Sequence, residues 1–173
     1  MYARSTAKKG FTLIEILIVV IILGILAAIV IPQFTNASKE AKQSALVTMV
    51  QSMRSQIALF KLQHNDYLPG SAPLNGAFSG ATFWNQMTLF SNVTGQTQAT
   101  KDTTTGFDKG PYMQSIPKNP LCPTTTLASD VVATANGTAS TTVCGFLYDY
   151  GTNGNGSGKI WGTDTDGKTA VAQ

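Results

Sequence analysis

The sequence predicts an α+β protein: a long N-terminal α-helix with its apolar half protruding, then a small antiparallel β-sheet head. Three patterns predict it. Phe11 to Ile31 is a run of 21 residues whose only charge is Glu15. Leu46, Val50, Met53, Ile57 and Phe60 recur at alternating four- and three-residue spacings, which places them on one helical face. Near the C-terminus, Cys144, Phe146, Tyr148 and Tyr150 alternate with Val143, Leu147 and Asp149, the period of a strand.

The apolar run meets the length of about 20 residues that a membrane-spanning helix needs. A carboxylate within it is expensive, about 2.5–3.5 kcal/mol at mid-membrane and less near an interface. Glu15 therefore needs a use, the alternative being a plain anchor that carries it incidentally. The preceding stretch, Met1 to Gly10, holds Arg4, Lys8 and Lys9 and no acid. A secretory signal ends in a small-residue cleavage site after its apolar core. Here the small residue, Gly10, comes before the apolar run, so cutting there leaves the hydrophobic helix on the mature chain.

The stretch GFTLIEILIVVIILGILAAIVIPQF, from Gly10 to Phe34, closely resembles the processing and assembly segment of type IV pilins and of their relatives, the pseudopilins of type II secretion. The short leader and Phe11 resemble the type IVa branch. The resemblance implies a pilin fold and four segments: leader 1–10, transmembrane and assembly helix 11–31, amphipathic helix half 32–63, and β-rich head 64–173. It implies a prepilin peptidase and methyltransferase that cuts between Gly10 and Phe11 and methylates the new amine of Phe11. It gives Glu15 an assembly role, pairing with that amine on a neighbouring subunit. The partners it implies are further copies of the chain in a homopolymeric filament and a pilus assembly machinery. The implied location is the bacterial inner membrane for the precursor and an extracellular pilus afterwards, or a periplasmic pseudopilus in the alternative.

Composition agrees with an exported chain. The formal charge is +3, from 12 basic and 9 acidic residues. Removing the three leader cations leaves nine of each, so nothing marks a nucleic-acid-binding surface. The leader charges orient the N-terminus to the cytoplasm by the positive-inside rule. Everything after Ile31 then lies where disulfides are permitted.

Within the helix, Gly24 lowers propensity by about 1 kcal/mol relative to Ala. Pro32 has no N–H, and its ring crowds the carbonyl of Ala28, which predicts a kink. The resemblance adds that the segment between Gly24 and Pro32 can unwind in a filament. From Thr12 to Gln63 the helix should run roughly 75–80 Å at 1.5 Å per residue. Lys39, Glu40, Gln43, Thr48, Gln51, Ser52, Arg54 and Ser55 fill much of its polar remainder. The chain's single histidine, His64, has no Cys or His close by and reads as a helix-end residue rather than a metal ligand.

Pro69, Gly70, Pro73, Asn75, Gly76 and Gly80 mark an irregular connection. Phe83, Trp84, Met87 and Phe90 have helical spacing, and Gln96 to Thr105 reads as an exposed Thr-rich loop. Prolines at 111, 117 and 120 exclude a central strand there. Lys159 to Trp161 reads as a strand returning from the glycine-rich turn 151–158, with Val131-Val132 as a third strand.

Cys122 and Cys144 are the only cysteines. They most simply form one bridge; two free thiols or a metal pair are the alternatives, and no second CxxC or histidine cluster supports zinc. The bridge resembles the disulfide-bounded loop of many type IV pilins, which major pseudopilins generally lack. The segment from Gly110-Pro111-Tyr112 to Pro120 instead resembles the pseudopilins. So does the Asp-bearing tail, where Asp149, Asp164 and Asp166 are weak candidates for a calcium site of clustered oxygens. No other cofactor is expected. One histidine, no nucleophile elbow and no P-loop argue against an enzyme. The cysteine pair favours a structural subunit of a type IV pilus, with the pseudopilin as alternative.

Overall fold

The computed structural model describes residues 10–74, 76–122, 131–133, 144–151, 154 and 156–164. Asp166 and the leader residues before Gly10 therefore lie outside the described residues. The chain divides into two compact units, Met1–Glu40 and Ala41–Gln173.

Helix α1 runs from Leu13 to Gln63 and passes through both Gly24 and Pro32. Among the described residues it is the one helix long and apolar enough to cross a membrane, by length and composition. In the first unit its apolar side chains, from Leu13 through Ile31 to Phe34, are exposed. Pro32 offers no amide to the carbonyl of Ala28, and the helical turn beyond it gains a side-chain bond, Thr35 Oγ1 to the Ile31 carbonyl at 3.2 Å.

The second unit is built on the predicted stripe. Leu46, Val50, Met53, Ile57 and Phe60 are all buried and form one cluster with Leu68, Phe83, Trp84, Met87, Phe146, Tyr148, Tyr150 and Ile160. Helix α2 spans Gly80–Thr88, capped by Ser79, whose hydroxyl accepts from the Thr82 amide. It ends earlier than the apolar spacing suggested. Leu89 turns extended (φ −114°, ψ 171°), and Phe90 opens strand β1, Phe90–Ser91. Strand β2, Thr97–Gln98, pairs antiparallel with β1, so the polar stretch expected as a plain loop contributes a short hairpin.

The second sheet holds β3 (Val131–Ala133), β4 (Phe146–Tyr148) and β5 (Ile160–Gly162) in the order β3-β4-β5. Strands β4 and β5 are antiparallel with Leu147 opposite Trp161. The third strand falls at Val131, as its sequence suggests, but it lies parallel to β4, which departs from an all-antiparallel sheet. All of Phe146, Leu147 and Tyr148 are buried, so β4 is enclosed on both faces rather than alternating. Ring contacts tie the sheet to α2: Phe83 to Tyr148 at 4.9 Å and Trp84 to Phe146 at 6.2 Å between centroids. Gly162 lets β5 approach α1, since a methyl group there would overlap the side chain of Leu46.

Candidate functional site

The N-terminal site begins before the helix. Gly10, Phe11 and Thr12 are non-helical, and Phe11 is 80% exposed. The Thr12 carbonyl accepts the first helical bond, from the Ile16 amide at 3.4 Å, which makes Thr12 the N-cap. Its hydroxyl accepts from the Glu15 amide at 3.3 Å. Glu15 reaches back in turn: its Oε2 accepts from the Thr12 amide at 2.8 Å and from the Thr12 hydroxyl at 2.7 Å.

This is a reciprocal capping box, satisfying two amides that a helix start otherwise leaves unpaired. It also sits at the positive end of the helix dipole, where a carboxylate is stabilised. Only one carboxylate oxygen is engaged; Oε1 has no partner among the described residues. The Gly10–Phe11 bond therefore lies in exposed, non-helical chain one turn from a fixed carboxylate. The sequence singles out Gly10, Phe11 and Glu15; Thr12 as the residue that holds Glu15 was legible only in the Thr-x-x-Glu spacing.

The remaining candidates are dispersed. Gly24 lies inside α1 with open space where a Cβ would stand, and Pro32 follows two turns later. Cys122 and Cys144 form the expected disulfide, with Cα atoms 5.6 Å apart. Beside it, Asn119 is buried and donates from Nδ2 to the carbonyls of Gly145 (2.9 Å) and Thr163 (2.8 Å), while its Oδ1 accepts from the Leu121 amide at 3.0 Å.

Of the three calcium candidates, Asp149 and Asp164 are among the described residues and Asp166 is not. Asp149 follows β4, and its Oδ2 accepts from the Ser157 amide and hydroxyl at 3.1 and 2.6 Å. Asp164 sits at the other end of the hairpin, its carbonyl oxygen 3.5 Å from the Cys144 sulfur. The three-residue strands β4 and β5 lie between these two positions. No group of three or more His, Cys, Asp or Glu side chains gathers among the described residues.

A family model described as the prokaryotic N-terminal methylation motif matches residues 5–31. The chain carries that motif. Relatives extend the likeness past it. The type II secretion system core protein G of Pectobacterium carotovorum subsp. carotovorum is 37% identical over 60 residues, covering 35% of this chain and 38% of that protein. A fimbrial protein of Neisseria meningitidis serogroup B is 36% identical over 67 residues, 39% of each chain. A type IV major pilin protein of Neisseria gonorrhoeae is 34% identical over 76 residues, 44% of this chain and 43% of that one. The chain thus spans about two fifths of the length of these curated relatives. No solved structure matches it. The methylation motif covers the capping box, both residues of the Gly10–Phe11 bond and the whole apolar run from Phe11 to Ile31.

Proposed function

We propose that this chain is a structural, non-enzymatic subunit of a type IV pilus, which polymerises through α1 after cleavage between Gly10 and Phe11 and N-methylation of Phe11. The observation that carries the reading is the capped Glu15, held by Thr12 one turn from an exposed Gly10–Phe11 bond inside the methylation motif. A prepilin peptidase and methyltransferase, the inner membrane and a pilus assembly machinery are its partners before assembly, and further copies of the chain afterwards.

The physical logic runs through charge. Cleavage removes Arg4, Lys8 and Lys9, which would oppose packing of apolar helices, and creates an amine at Phe11. Such an amine titrates near 7.7–8.0 in model systems and is largely cationic at neutral pH. Glu15 retains one unengaged carboxylate oxygen to meet it. In low dielectric an opposite charge within a few ångströms offsets part of the desolvation of both ions, whereas an unpaired one is costly. Pairing with a neighbouring subunit's amine makes Glu15 a register device. Gly24 and Pro32 give the helix its weakest segment, where unwinding in the filament costs least.

Intact mass of the envelope and filament forms tests processing: a chain beginning at methylated Phe11 is expected. Glu15→Ala should insert and be processed yet yield few or no filaments. Filament chains still starting at Met1, or normal filament yield from Glu15→Ala, overturn the reading.

A second reading, a type II secretion pseudopilin forming a short periplasmic rod, is favoured by the similarity to core protein G. A calcium ion in that reading draws on the oxygens of Asp164 and Asp166, with Asp149 the weaker third candidate. If EDTA lowers the melting temperature of the full chain in detergent while reduction leaves it unchanged, the order of the two readings reverses.

A further inference from the structure

His64 lies one residue beyond α1 and is fully buried. Its ring stacks on Phe60, with centroids 3.8 Å apart and planes 8° from parallel. Nδ1 lies 2.9 Å from the Phe60 carbonyl oxygen, and Nε2 lies 3.0 Å from Ser91 Oγ. A carbonyl can only accept, so Nδ1 carries the proton and Nε2 of the neutral ring accepts from the Ser91 hydroxyl. Ser91 is joined in turn to Lys109 by two backbone bonds, at 2.9 and 3.2 Å. One imidazole therefore ties the last turn of α1 to β1, whose Ser91 backbone in turn holds the Lys109 segment.

The clasp works only while the ring is neutral. A proton on Nε2 turns its acceptor into a donor, so Ser91 must reverse its hydroxyl, and it places a cation in a dry site. Among the described residues no carboxylate contacts the ring. Lys109 is the charge that faces it, and it repels. Asp108 is taken up by Lys109 at 2.9 Å. On the α1 side, Lys61 and Asp66 form an exposed pair at 4.0 Å. Tyr112, which packs edge-on against Phe60, donates its hydroxyl to Gln63 and stays neutral, its pKa pushed up to about 12 by burial.

From this geometry we infer that His64 is an acid-operated latch: protonating its imidazole releases the end of α1 from β1 and the Lys109 segment and loosens the globular unit. Burial acts in the same direction, holding the imidazole pKa below its ordinary value against the opposing pull of the Phe60 carbonyl. A base whose pKa is lowered by folding leaves stability intact above the unfolded value of about 6.5 and removes it as pH falls below that.

The single histidine makes the test unambiguous, since one imidazole signal reports it. In the full chain in detergent micelles, the ring should titrate below the ordinary imidazole value of about 6.5 and gain its proton only as amide exchange accelerates near residues 60–64 and 90–92. The melting temperature should fall by several degrees more between pH 7 and 5 in the parent chain than in His64→Gln or His64→Phe. An imidazole titrating at 6.5 or above in the folded chain overturns the latch. So do parallel pH profiles for parent and variants. If neither variant folds, the imidazole titration of the parent chain decides alone.

Discussion

Arg54 holds the outer edge of the sheet: its Nε and Nη2 both donate to the carbonyl of Ile160, at 3.1 and 2.8 Å. Strand β5 is an edge strand, and its outward carbonyls need partners from outside the ladder. A guanidinium on the neighbouring turn of α1 supplies two donors with one charge. Hydrogen bonds to charged groups contribute about 1.5–3 kcal/mol each when broken. Arg54→Met, which keeps most of the apolar stem, should lower stability by roughly 2 kcal/mol in urea titration of the full chain. Arg54→Lys should recover only part, because an ammonium cannot present the same fork. Equal stability of Arg54→Met and the parent would remove the clamp from the account.

Asn119 and the disulfide secure one corner together. The bridge joins residues 22 apart in sequence, and chain-entropy arguments assign such a loop about 3 kcal/mol. Reduction should therefore lower the melting temperature by roughly 10 °C. Asn119→Ala leaves the Leu121 amide and the Thr163 carbonyl without their side-chain partner, at a cost of about 1–3 kcal/mol. Because Gly145, next to Cys144, accepts from Asn119, the two losses should couple rather than add. A double-mutant cycle with both cysteines changed to Ala measures this; strict additivity would show that the corner is two independent ties.

Much of this architecture was legible because it rests on local periodicity. The stripe Leu46, Val50, Met53, Ile57 and Phe60 is the buried face of α1 without exception. The strand at Phe146 to Tyr148 and the Cys122–Cys144 pair also stand where spacing and residue type put them. Partnerships across long separations were not legible. Arg54 reads as one more polar residue on a helix, yet its partner is 106 positions away. His64 reads only as a helix-end residue, and nothing in its spacing shows that β1 returns to bury it. Phe90 fits the helical spacing of Phe83 and Met87, but the chain turns extended at Leu89, and no residue type there announces it. At the N-terminal site the reverse holds: Gly10, Phe11 and Glu15 form a contiguous motif, so the sequence displays nearly all of it.

Gln86 stitches two loops to α2. Its Oε1 accepts from the Gly70 amide, and its Nε2 donates to the carbonyls of Ser71 and Gly95, each at 2.7 Å in a fully buried site. Gln86→Leu fills the space but orphans three buried backbone groups, so it should cost about 2–4 kcal/mol. Gln86→Glu should be no better, since a carboxylate has no hydrogens for the two carbonyls and would bury a charge. Denaturant midpoints of the two variants give the comparison. A well-tolerated Gln86→Glu would mean the amide donors contribute little.

Tyr148 presents the opposite case. It is fully buried between Phe83, Phe78 and Tyr150, and among the described residues its hydroxyl has no hydrogen-bond partner. Burial drives its pKa well above the ordinary phenol value, so the group stays neutral at any physiological pH. The neighbouring Tyr150 differs: its hydroxyl takes a bond with Ser71 at 2.6 Å and donates to the Gly76 carbonyl at 3.1 Å. Removing an unpaired buried hydroxyl relieves a desolvation cost of about 1–3 kcal/mol, offset by the contacts the oxygen itself makes. Tyr148→Phe should therefore be neutral or stabilise by up to about 1 kcal/mol. Tyr150→Phe, which takes the Tyr150 bond from the Gly76 carbonyl and leaves the Ser71 hydroxyl only the Gly76 amide, should destabilise by about 1–2 kcal/mol. The two substitutions delete the same atom from rings 6.3 Å apart, so their difference isolates the hydrogen bond from the packing. Equal melting temperatures for the two variants would refute that separation.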